Sequence, residues 1–425
     1  MSSRIGVCLV GANGAVATTI MAGIALMKKG LVPRRGMTTE GHLGQMLDLA
    51  PLEGMVFGGW DLRNDTAYEA AVGHEVVQRH LLDQVKEELS SFRPWPATAS
   101  SRFLYSMAGK NLVVAKNARD ELKQLEQNIS TFKIENRLER VVMVNLTSTE
   151  KYCELEDVHQ SIEAFEAGLD SDDERISPSM KYLYIACKLG VPHVNFTPSL
   201  SKIPALEQLA EKCGVPIAGE DGKTGQTLLK TVLAPAFAIR QLHVDGWYST
   251  NILGNNDGLV LKDPGSNRTK VTSKQNVLDN ILGYKVEDHQ VHIHYYKPRG
   301  DAKEAWDNID VSGFLGERMQ IKLDFLCKDS ILAAPLVIDL VRLIDCASRC
   351  GEAGIQRQLS SFFKAPYHTQ NEEPVHDLFK QNDLLMRWAE KVKATSVSFK
   401  ASKMSGRDHS SSSHYFRAKD ETCPN

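Results

Sequence analysis

The chain has 425 residues, of which 42% are hydrophobic and 24% are charged, and its formal net charge is −3. This length and composition are typical of a globular protein that buries one large core or two linked ones. Because the overall charge is slightly negative, composition excludes a nucleic-acid-binding surface built on general positive charge, and we expect no nucleic-acid partner.

The apolar segments indicate no membrane partner. The run over 5–10 is too short for the hydrophobic region of a signal peptide. The longest apolar helix candidate, 331–344, is interrupted by Pro335, Asp339 and Arg342 and is shorter than the roughly 20 residues that span a bilayer. The cysteines include no Cys-x-x-Cys pair, which is typical of buried thiols in a reducing compartment. We therefore expect a cytoplasmic protein.

The first half of the chain alternates short apolar strands with helical segments. The run over 5–10 ends at Gly11, and 18–27 continues with a mostly apolar helical face, which predicts a strand–turn–helix unit. Further strands are predicted at 55–60, 111–115, 140–146, 191–196 and 215–219. This rhythm predicts an α/β fold with a Rossmann-like, doubly wound parallel sheet.

The pattern changes after about Leu242. The segment 289–296 alternates with a period of two, which predicts a strand in a mainly open or antiparallel sheet. His292 and His294 lie on one face of that strand, but hydrogen-bonded or solvated strand histidines are far more common than metal ligands, and we predict no metal site. The composition of 395–425 predicts a disordered tail.

A glycine-containing turn follows the first strand, with the sequence Gly11-Ala12-Asn13-Gly14-Ala15-Val16-Ala17. It departs from Gly-x-Gly-x-x-Gly at Asn13 and Ala17. Such a turn brings backbone N–H groups and a helix dipole to a pyrophosphate, although an ordinary glycine-rich turn is the alternative. The residues predicted to contact a dinucleotide cofactor are Gly11, Asn13, Gly14, Ala15 and Val16.

Asp61 is the candidate for the acid that binds the ribose of the cofactor. In dinucleotide-binding folds this acid ends the second strand, and Gly58-Gly59-Trp60-Asp61 ends the strand predicted at 55–60. A carboxylate at this position repels a 2′-phosphate, so we predict that the cofactor is NAD rather than NADP.

Several short segments between 219 and 366 combine glycine, amide, carboxylate and lysine. Each has an ordinary structural explanation, since glycine-rich polar strings are usually turns and lysines are usually solvated. Together they indicate a phosphate pocket, because Thr224-Gly225-Gln226-Thr227 offers donors at a helix start and clustered lysines supply positive charge. Lysines held close together also lower one another's pKa, which suits them to proton transfer.

The same segments resemble, in order, the motifs of the myo-inositol-1-phosphate synthase family. The matching segments are Gly58-Gly59-Trp60-Asp61, Gly219-Glu220-Asp221 through Gly225-Gln226-Thr227, Leu253-Gly254-Asn255-Asn256-Asp257-Gly258, Lys297-Pro298-x-Gly300-Asp301-x-Lys303, Asp329-Ser330-x-Leu332-Ala333-x-Pro335-Leu336 and Lys364-Ala365-Pro366. The resemblance covers roughly residues 5 to 370. It implies a Rossmann domain over 1–226, an inserted α+β catalytic and tetramerisation domain over 227–332, a return to the Rossmann domain over 333–394, and a homotetramer.

The resemblance further implies an activity, the NAD-dependent cyclisation of glucose 6-phosphate to 1D-myo-inositol 3-phosphate. C5 is oxidised, loss of a C6 proton gives an enol, C6 attacks the C1 aldehyde, and the resulting ketone is reduced. The cofactor is regenerated in each turnover.

Roles for individual residues also follow from the resemblance. Lys270 and Lys297 are implied to move protons and to stabilise the enolate and alkoxide oxygens beside Asp221. The full catalytic set is Lys270, Lys297, Asp221, Asp329 and Lys364. The substrate phosphate is assigned to Thr224, Gly225 and Lys274, and the nicotinamide end of the cofactor to Asp257 and Asp329.

Three alternatives stay open. They are a related cyclase that acts on another phosphosugar, a phosphosugar dehydrogenase that releases NADH, and an NAD-binding regulator without activity. Leu228 stands where many relatives carry lysine, and Asp279-Asn280 stands where relatives carry paired acids, which leaves the substrate's identity open. A regulator has no chemical need for the complete set of lysines and carboxylates, which argues against the third alternative.

Overall fold

The computed structural model of the chain describes residues 4–104, 109–254, 277–369 and 372–404, with side chains described up to residue 395. Two sheets and the helices around them make up these residues. The first sheet contains β1 Ile5–Val10, β2 Met55–Asp61, β3 Trp95–Pro96, β4 Arg140–Asn145, β5 His193–Asn195, β6 Pro216–Ala218 and β11 Gly354–Ile355.

The strands of the first sheet all run parallel, in the order β3-β2-β1-β4-β5-β6-β11. The direction of winding reverses between β1 and β4, which leaves a crevice at their C-terminal ends where ligands bind in this type of sheet. The predicted doubly wound parallel sheet is confirmed.

Helices cover the first sheet on both faces. Ile5, Val7 and Leu9 of β1 belong to one hydrophobic core, and Cys8 and Val10 belong to the other. The helices are α1 Ala15–Lys28, α2 His42–Met46, α3 Ala67–His74, α4 Arg79–Asp83, α5 Lys86–Ser90, α6 Ala118–Glu135, α7 Ile162–Asp170, α8 Pro178–Lys188, α9 Pro204–Lys212, α10 Gln226–Ile239, α11 Asp329–Arg349 and α12 Leu378–Met404. Because both faces of β1 are buried, its sequence is apolar throughout rather than alternating.

The second sheet has four strands, β7 His243–Leu253, β8 Asp288–Tyr295, β9 Ala302–Ser312 and β10 Arg318–Lys328. Their order is β10-β9-β7-β8. β9 is antiparallel to both of its neighbours, whereas β7 and β8 are parallel, so the sheet is mixed rather than antiparallel throughout. A third core, which includes Ala234 and Phe237 of α10, packs against the inner face of this sheet.

Two predictions from the sequence differ from the structure. Residues 111–115 do not form a strand; only Leu112 makes an isolated bridge, with Ala97, and Val114 is 88% exposed. The third strand is instead the short β3, and in the segment 111–115 Val113 is partly buried against the hydrophobic core that contains Cys8 and Val10. In addition, α12 continues to Met404, inside the segment predicted as a disordered tail.

The polar residues that interrupt the apolar run of α11 have specific partners. Asp339 accepts hydrogen bonds from the backbone N–H groups of Thr38 and Thr39, at 2.6 and 3.1 Å. Arg342 donates to Glu40 and to the carbonyl of Ala50. These contacts attach the segment before β2 to α11.

Among the described helices, none has the length and apolar character needed to cross a bilayer.

Candidate functional site

A cavity of about 520 Å³ lies at the C-terminal ends of the parallel strands. Residues that follow β1, β2, β4, β5 and β6 form one side, and residues of β7, β8, β9 and the start of α11 form the other. The predicted site residues that line it are Gly11, Gly14, Ala15, Val16, Asp61, Asp221, Thr224, Asp329 and Lys364. The crevice between β1 and β4 therefore continues into a space covered by the second sheet.

The glycine-containing turn passes close to the backbone that follows β4 and leaves the start of α1 uncapped. Gly11 adopts a φ of 85°, and a Cβ there would lie 3.0 Å from the carbonyl oxygen of Leu146, so a glycine is needed. Gly14 is the N-cap of α1 and no side chain caps this helix end. The N–H groups of the first turn of α1 are therefore available to an anion, with the helix dipole behind them.

Asn13, predicted to contact the cofactor, does not line the cavity. Its side chain is buried and donates to the carbonyl oxygen of Asp65 at 2.8 Å. The departure from glycine at this position thus has a structural explanation, because the amide attaches the turn to the chain that follows β2.

Asp61 ends β2 beside the glycine-containing turn. Its two carboxylate oxygens accept the backbone N–H groups of Asn13, at 2.8 Å, and of Arg63, at 2.9 Å. Burial raises the pKa of Asp61, and the two backbone hydrogen bonds and the Arg63 guanidinium oppose that rise. The carboxylate is held in one orientation at the cavity wall, where acceptor positions remain for ligand hydroxyls.

Asp221 and Lys364, far apart in sequence, form a buried ion pair in the cavity. Lys364 Nζ donates to Asp221 Oδ1 at 2.7 Å. The pair forms because the loop 219–225 and the loop 362–367 hydrogen-bond to each other along their backbones. Lys364 N–H donates to the carbonyl of Asp221 at 2.7 Å, and Lys223 N–H donates to the carbonyl of Phe362 at 2.8 Å.

The loop 219–225 also forms a buried hydrogen bond with α12. The Lys223 ammonium is buried and donates to Gln381 Oε1. Burial lowers the pKa of Lys223 to about 7, with Asp377 opposing the shift. Lys223 therefore connects α12 to the loop that carries Asp221 and Thr224.

Thr224, Lys303 and Asp329 form a second polar group in the cavity. Thr224 Oγ1 donates to Asp329 Oδ1 at 2.9 Å, and Lys303 Nζ lies 3.4 Å from the same oxygen. A Cβ at Gly225 would lie 3.7 Å from Lys303 Nζ, which places the ammonium directly beside the start of α10. An ammonium, a hydroxyl and a helix N-terminus at one place form a site suited to a phosphate.

One described catalytic candidate, Lys297, is not brought to this cavity. Lys297 lies in a short turn between β8 and β9, its side chain is exposed, and it is absent from the lining. Lys270, Lys274 and Asp257 lie outside the described residues.

Lys303 lines the cavity although it was not selected as a site residue. The alternating burial of β9 indicates that Lys303 faces inwards. In this strand every second residue is buried, namely Ala305, Asp307, Ile309 and Val311. Lys303 continues this series on the inner face of β9. Asp301 of the same segment accepts from Ser330 Oγ at 2.8 Å and so connects β9 to the start of α11.

The fold and the cavity define an α/β protein of the dinucleotide-binding class, with a second sheet that covers a lysine- and carboxylate-lined pocket. The family model described as myo-inositol-1-phosphate synthase matches residues 5–389. The chain therefore belongs to the myo-inositol-1-phosphate synthase family.

Individual relatives agree with this assignment. The chain is 44% identical over 400 residues to inositol-3-phosphate synthase 1 of Bacteroides thetaiotaomicron, an alignment that covers 89% of this chain and 93% of that protein. It is 30% identical over 447 residues to inositol-3-phosphate synthase of Saccharomyces cerevisiae, covering 90% and 84% of the two chains.

Solved structures share the fold. Inositol-3-phosphate synthase from Caenorhabditis elegans superposes with a TM-score of 0.88 at 24% identity, covering 92% of this chain and 86% of that chain. A myo-inositol-1-phosphate synthase-related protein from Thermotoga maritima gives a TM-score of 0.74 at 23% identity, covering 91% and 98%.

Proposed function

We propose that the chain is an inositol-3-phosphate synthase that uses NAD to convert glucose 6-phosphate into 1D-myo-inositol 3-phosphate. The main observation that supports the proposal is that two groups of predicted site residues line the same cavity. The glycine-containing turn with Asp61 lies at one end, and the group of Asp221, Lys364, Thr224, Lys303 and Asp329 lies at the other. Incubation with NAD and glucose 6-phosphate, followed by identification of the product, tests the proposal.

The residues present fit NAD. The uncapped start of α1 suits its pyrophosphate, and the fixed carboxylate of Asp61 suits a ribose diol. The chemistry that bound NAD supplies is removal of a hydride from C5 of the sugar and its return to the ketone formed by ring closure.

The chain's own residues have the following proposed roles. Thr224, the backbone at Gly225 and Lys303 hold the substrate phosphate, because these donors converge at the start of α10. Lys364 and Lys303 supply protons and stabilise negative charge on the enolate and alkoxide oxygens. Asp221 and Asp329 orient these ammonium groups through the ion pairs at 2.7 and 3.4 Å.

Lys303 takes over the role that the resemblance implied for Lys297, since Lys303 lines the cavity and Lys297 is exposed. Lys270, Lys274 and Asp257 keep their roles as proposals from the family resemblance. The residues predicted to contact NAD and those predicted to contact the sugar phosphate line one cavity, which a protein that only binds NAD does not require.

The finer features of the protein are also proposals. We propose domains at 1–226, 227–332 and 333–394, in agreement with the second sheet lying between 243 and 328. We propose a homotetramer in the cytoplasm. The outer side of the second sheet and its adjoining turn carry exposed apolar side chains, among them Trp306, Phe314 and Leu326, which support an interface there.

Asp61→Ala is expected to weaken NAD binding about 10-fold or more, because a charge-assisted hydrogen bond to the ribose is lost. The preference for NAD over NADP should fall at the same time, since the charge that repels a 2′-phosphate is gone. Calorimetric titration of both cofactors and of the sugar phosphate measures these changes. Equal losses for all three ligands would instead assign Asp61 a purely structural role.

A further inference from the structure

Lys223 and Gln381 make a buried contact outside the cavity. The Lys223 side chain leaves the loop 219–225 and donates to Gln381 Oε1 of α12. Lys223 is 3% exposed, Gln381 is fully buried, and neither residue lines the cavity. The contact therefore joins the loop that carries Thr224 and Gly225 to a helix that lies away from the proposed reacting groups.

The hydrogen bonds of Gln381 leave one orientation for its amide. Its Nε2 donates to the carbonyl oxygen of Val375, and its backbone N–H donates to the carbonyl oxygen of Asp377 at 2.9 Å. An ammonium group only donates, so the amide must present its oxygen to Lys223. Because a buried ammonium without an acceptor is costly, this oxygen determines where the Lys223 side chain lies.

The helix α12 is anchored independently of this contact. Leu385, Trp388 and Ala389 on its apolar face belong to a hydrophobic core, and Trp388 Nε1 donates to Glu352 Oε1 at 2.8 Å. Replacing Gln381 is therefore expected to leave the helix in place. α12 is a fixed support to which the loop attaches.

The phosphate-binding end of the loop depends on this support. Among the residues of the loop 219–225, Lys223 is the last whose backbone N–H bonds to a neighbouring segment, the chain that follows β11, at 2.8 Å. Thr224 Oγ1 donates to Asp329, but a hydroxyl has one hydrogen, so Thr224 must release Asp329 when it donates to a phosphate. The contact of Lys223 with Gln381 then continues to hold this end of the loop.

We propose that Lys223 and Gln381 are positioning residues for the phosphate-binding end of the loop, so that α12 sets the affinity of the enzyme for the sugar phosphate. This role rests on the proposed function, which places the phosphate at Thr224 and Gly225. Asp221 is held separately, because its backbone N–H and carbonyl both bond to other segments. The loss of the contact should therefore affect substrate binding more than kcat.

Gln381→Met removes the acceptor and keeps a side chain of similar volume. We expect the KM for glucose 6-phosphate to rise about 10-fold, the effect of losing a hydrogen bond to a charged group, and kcat to stay within about three-fold. Calorimetric titration of glucitol 6-phosphate, which has no C1 aldehyde, into protein loaded with NADH should show the same weakening. Titration with NADH alone should change by less than about two-fold. A role in folding stability alone would lower the urea midpoint without moving KM.

Two further variants test whether the residues act as one unit. Lys223→Met should raise KM by a similar factor, and Lys223→Met/Gln381→Met should be no worse than either single variant, because all three lose the same contact. Asn382→Met makes the matching replacement of an amide at the next, exposed position of α12 and should keep the wild-type KM. Should Gln381→Met not fold, Lys223→Met gives the same test without an unpaired buried charge.

A KM within about two-fold of the wild-type value in both single variants overturns the positioning role. Equal weakening of NADH and glucitol 6-phosphate overturns it as well, since that result indicates general damage to the fold. Failure of the wild-type protein to form a cyclitol phosphate from glucose 6-phosphate and NAD contradicts the proposed function, and the titrations with glucitol 6-phosphate then decide the positioning role alone. A wild-type protein that binds no sugar phosphate contradicts both.

Discussion

Lys303→Met is expected to lower kcat by about 100-fold to 10,000-fold, the range by which a positioned acid or base contributes to catalysis. The side chain is 12% exposed, lies beside the start of α10 and is paired with Asp329 at 3.4 Å. In the proposed mechanism, removing the ammonium eliminates both a phosphate contact and a group that stabilises developing negative charge. Steady-state assays with NAD and glucose 6-phosphate measure the loss.

Lys297→Met tests which lysine of the motif, Lys297 or Lys303, is needed for catalysis. The family resemblance implies a loss as large as that of Lys303→Met, whereas the structure, in which Lys297 is exposed, leads us to expect a change within about two-fold. Lys133→Met, at an exposed position on α6, serves as the control for loss of a surface lysine. Full activity in Lys303→Met together with inactivity in Lys297→Met would reverse the assignment.

Lys364→Met is the second variant with a large expected effect. The Lys364–Asp221 pair is buried, with side-chain exposures of 10% and 6%. Removing one partner of a buried ion pair costs about 3–5 kcal/mol of folding stability, because a buried charge loses its counter-charge. We expect kcat to fall by about 100-fold or more as well, since Lys364 lines the cavity that we propose binds the sugar phosphate.

The double variant Asp221→Asn/Lys364→Met separates the two effects. It removes both charges, so the free energy of unfolding should recover towards the wild-type value, while kcat should stay low. Urea unfolding and steady-state assays on the same preparations provide both measurements. Recovery of activity along with stability would mean that the pair acts only on folding.

The strands of the first sheet could be predicted wherever both faces are buried. β1 and β4 are continuous apolar runs, and such runs stand out in a sequence. The segment 111–115 is equally apolar but has Val114 exposed, so a local pattern could not reveal that this segment pairs only through the isolated bridge at Leu112. β3, with only two residues and a proline, has no local signal at all.

The site could be predicted only in part, because its residues meet through tertiary pairing. No spacing rule brings Asp221 to Lys364; their loops join through backbone hydrogen bonds that depend on the completed sheet. The glycine-containing turn and Asp61 could be predicted from the sequence because they follow consecutive strands of one local unit. Lys303 continues the buried series of β9, but Lys297, six residues earlier, has the same parity, so only the start of β9 at Ala302 distinguishes the two lysines.

Ring closure with internal recycling of the cofactor distinguishes the proposed enzyme from a simple dehydrogenase, and the product formed from glucose 6-phosphate and NAD reveals which reaction occurs. The product is identified by NMR, with absorbance at the NADH band recorded in parallel. We expect a non-reducing cyclitol phosphate, 1D-myo-inositol 3-phosphate, at a yield that exceeds the amount of NAD many times, without net NADH. Steady accumulation of NADH with an oxidised, open-chain sugar phosphate would contradict it and identify a simple dehydrogenase.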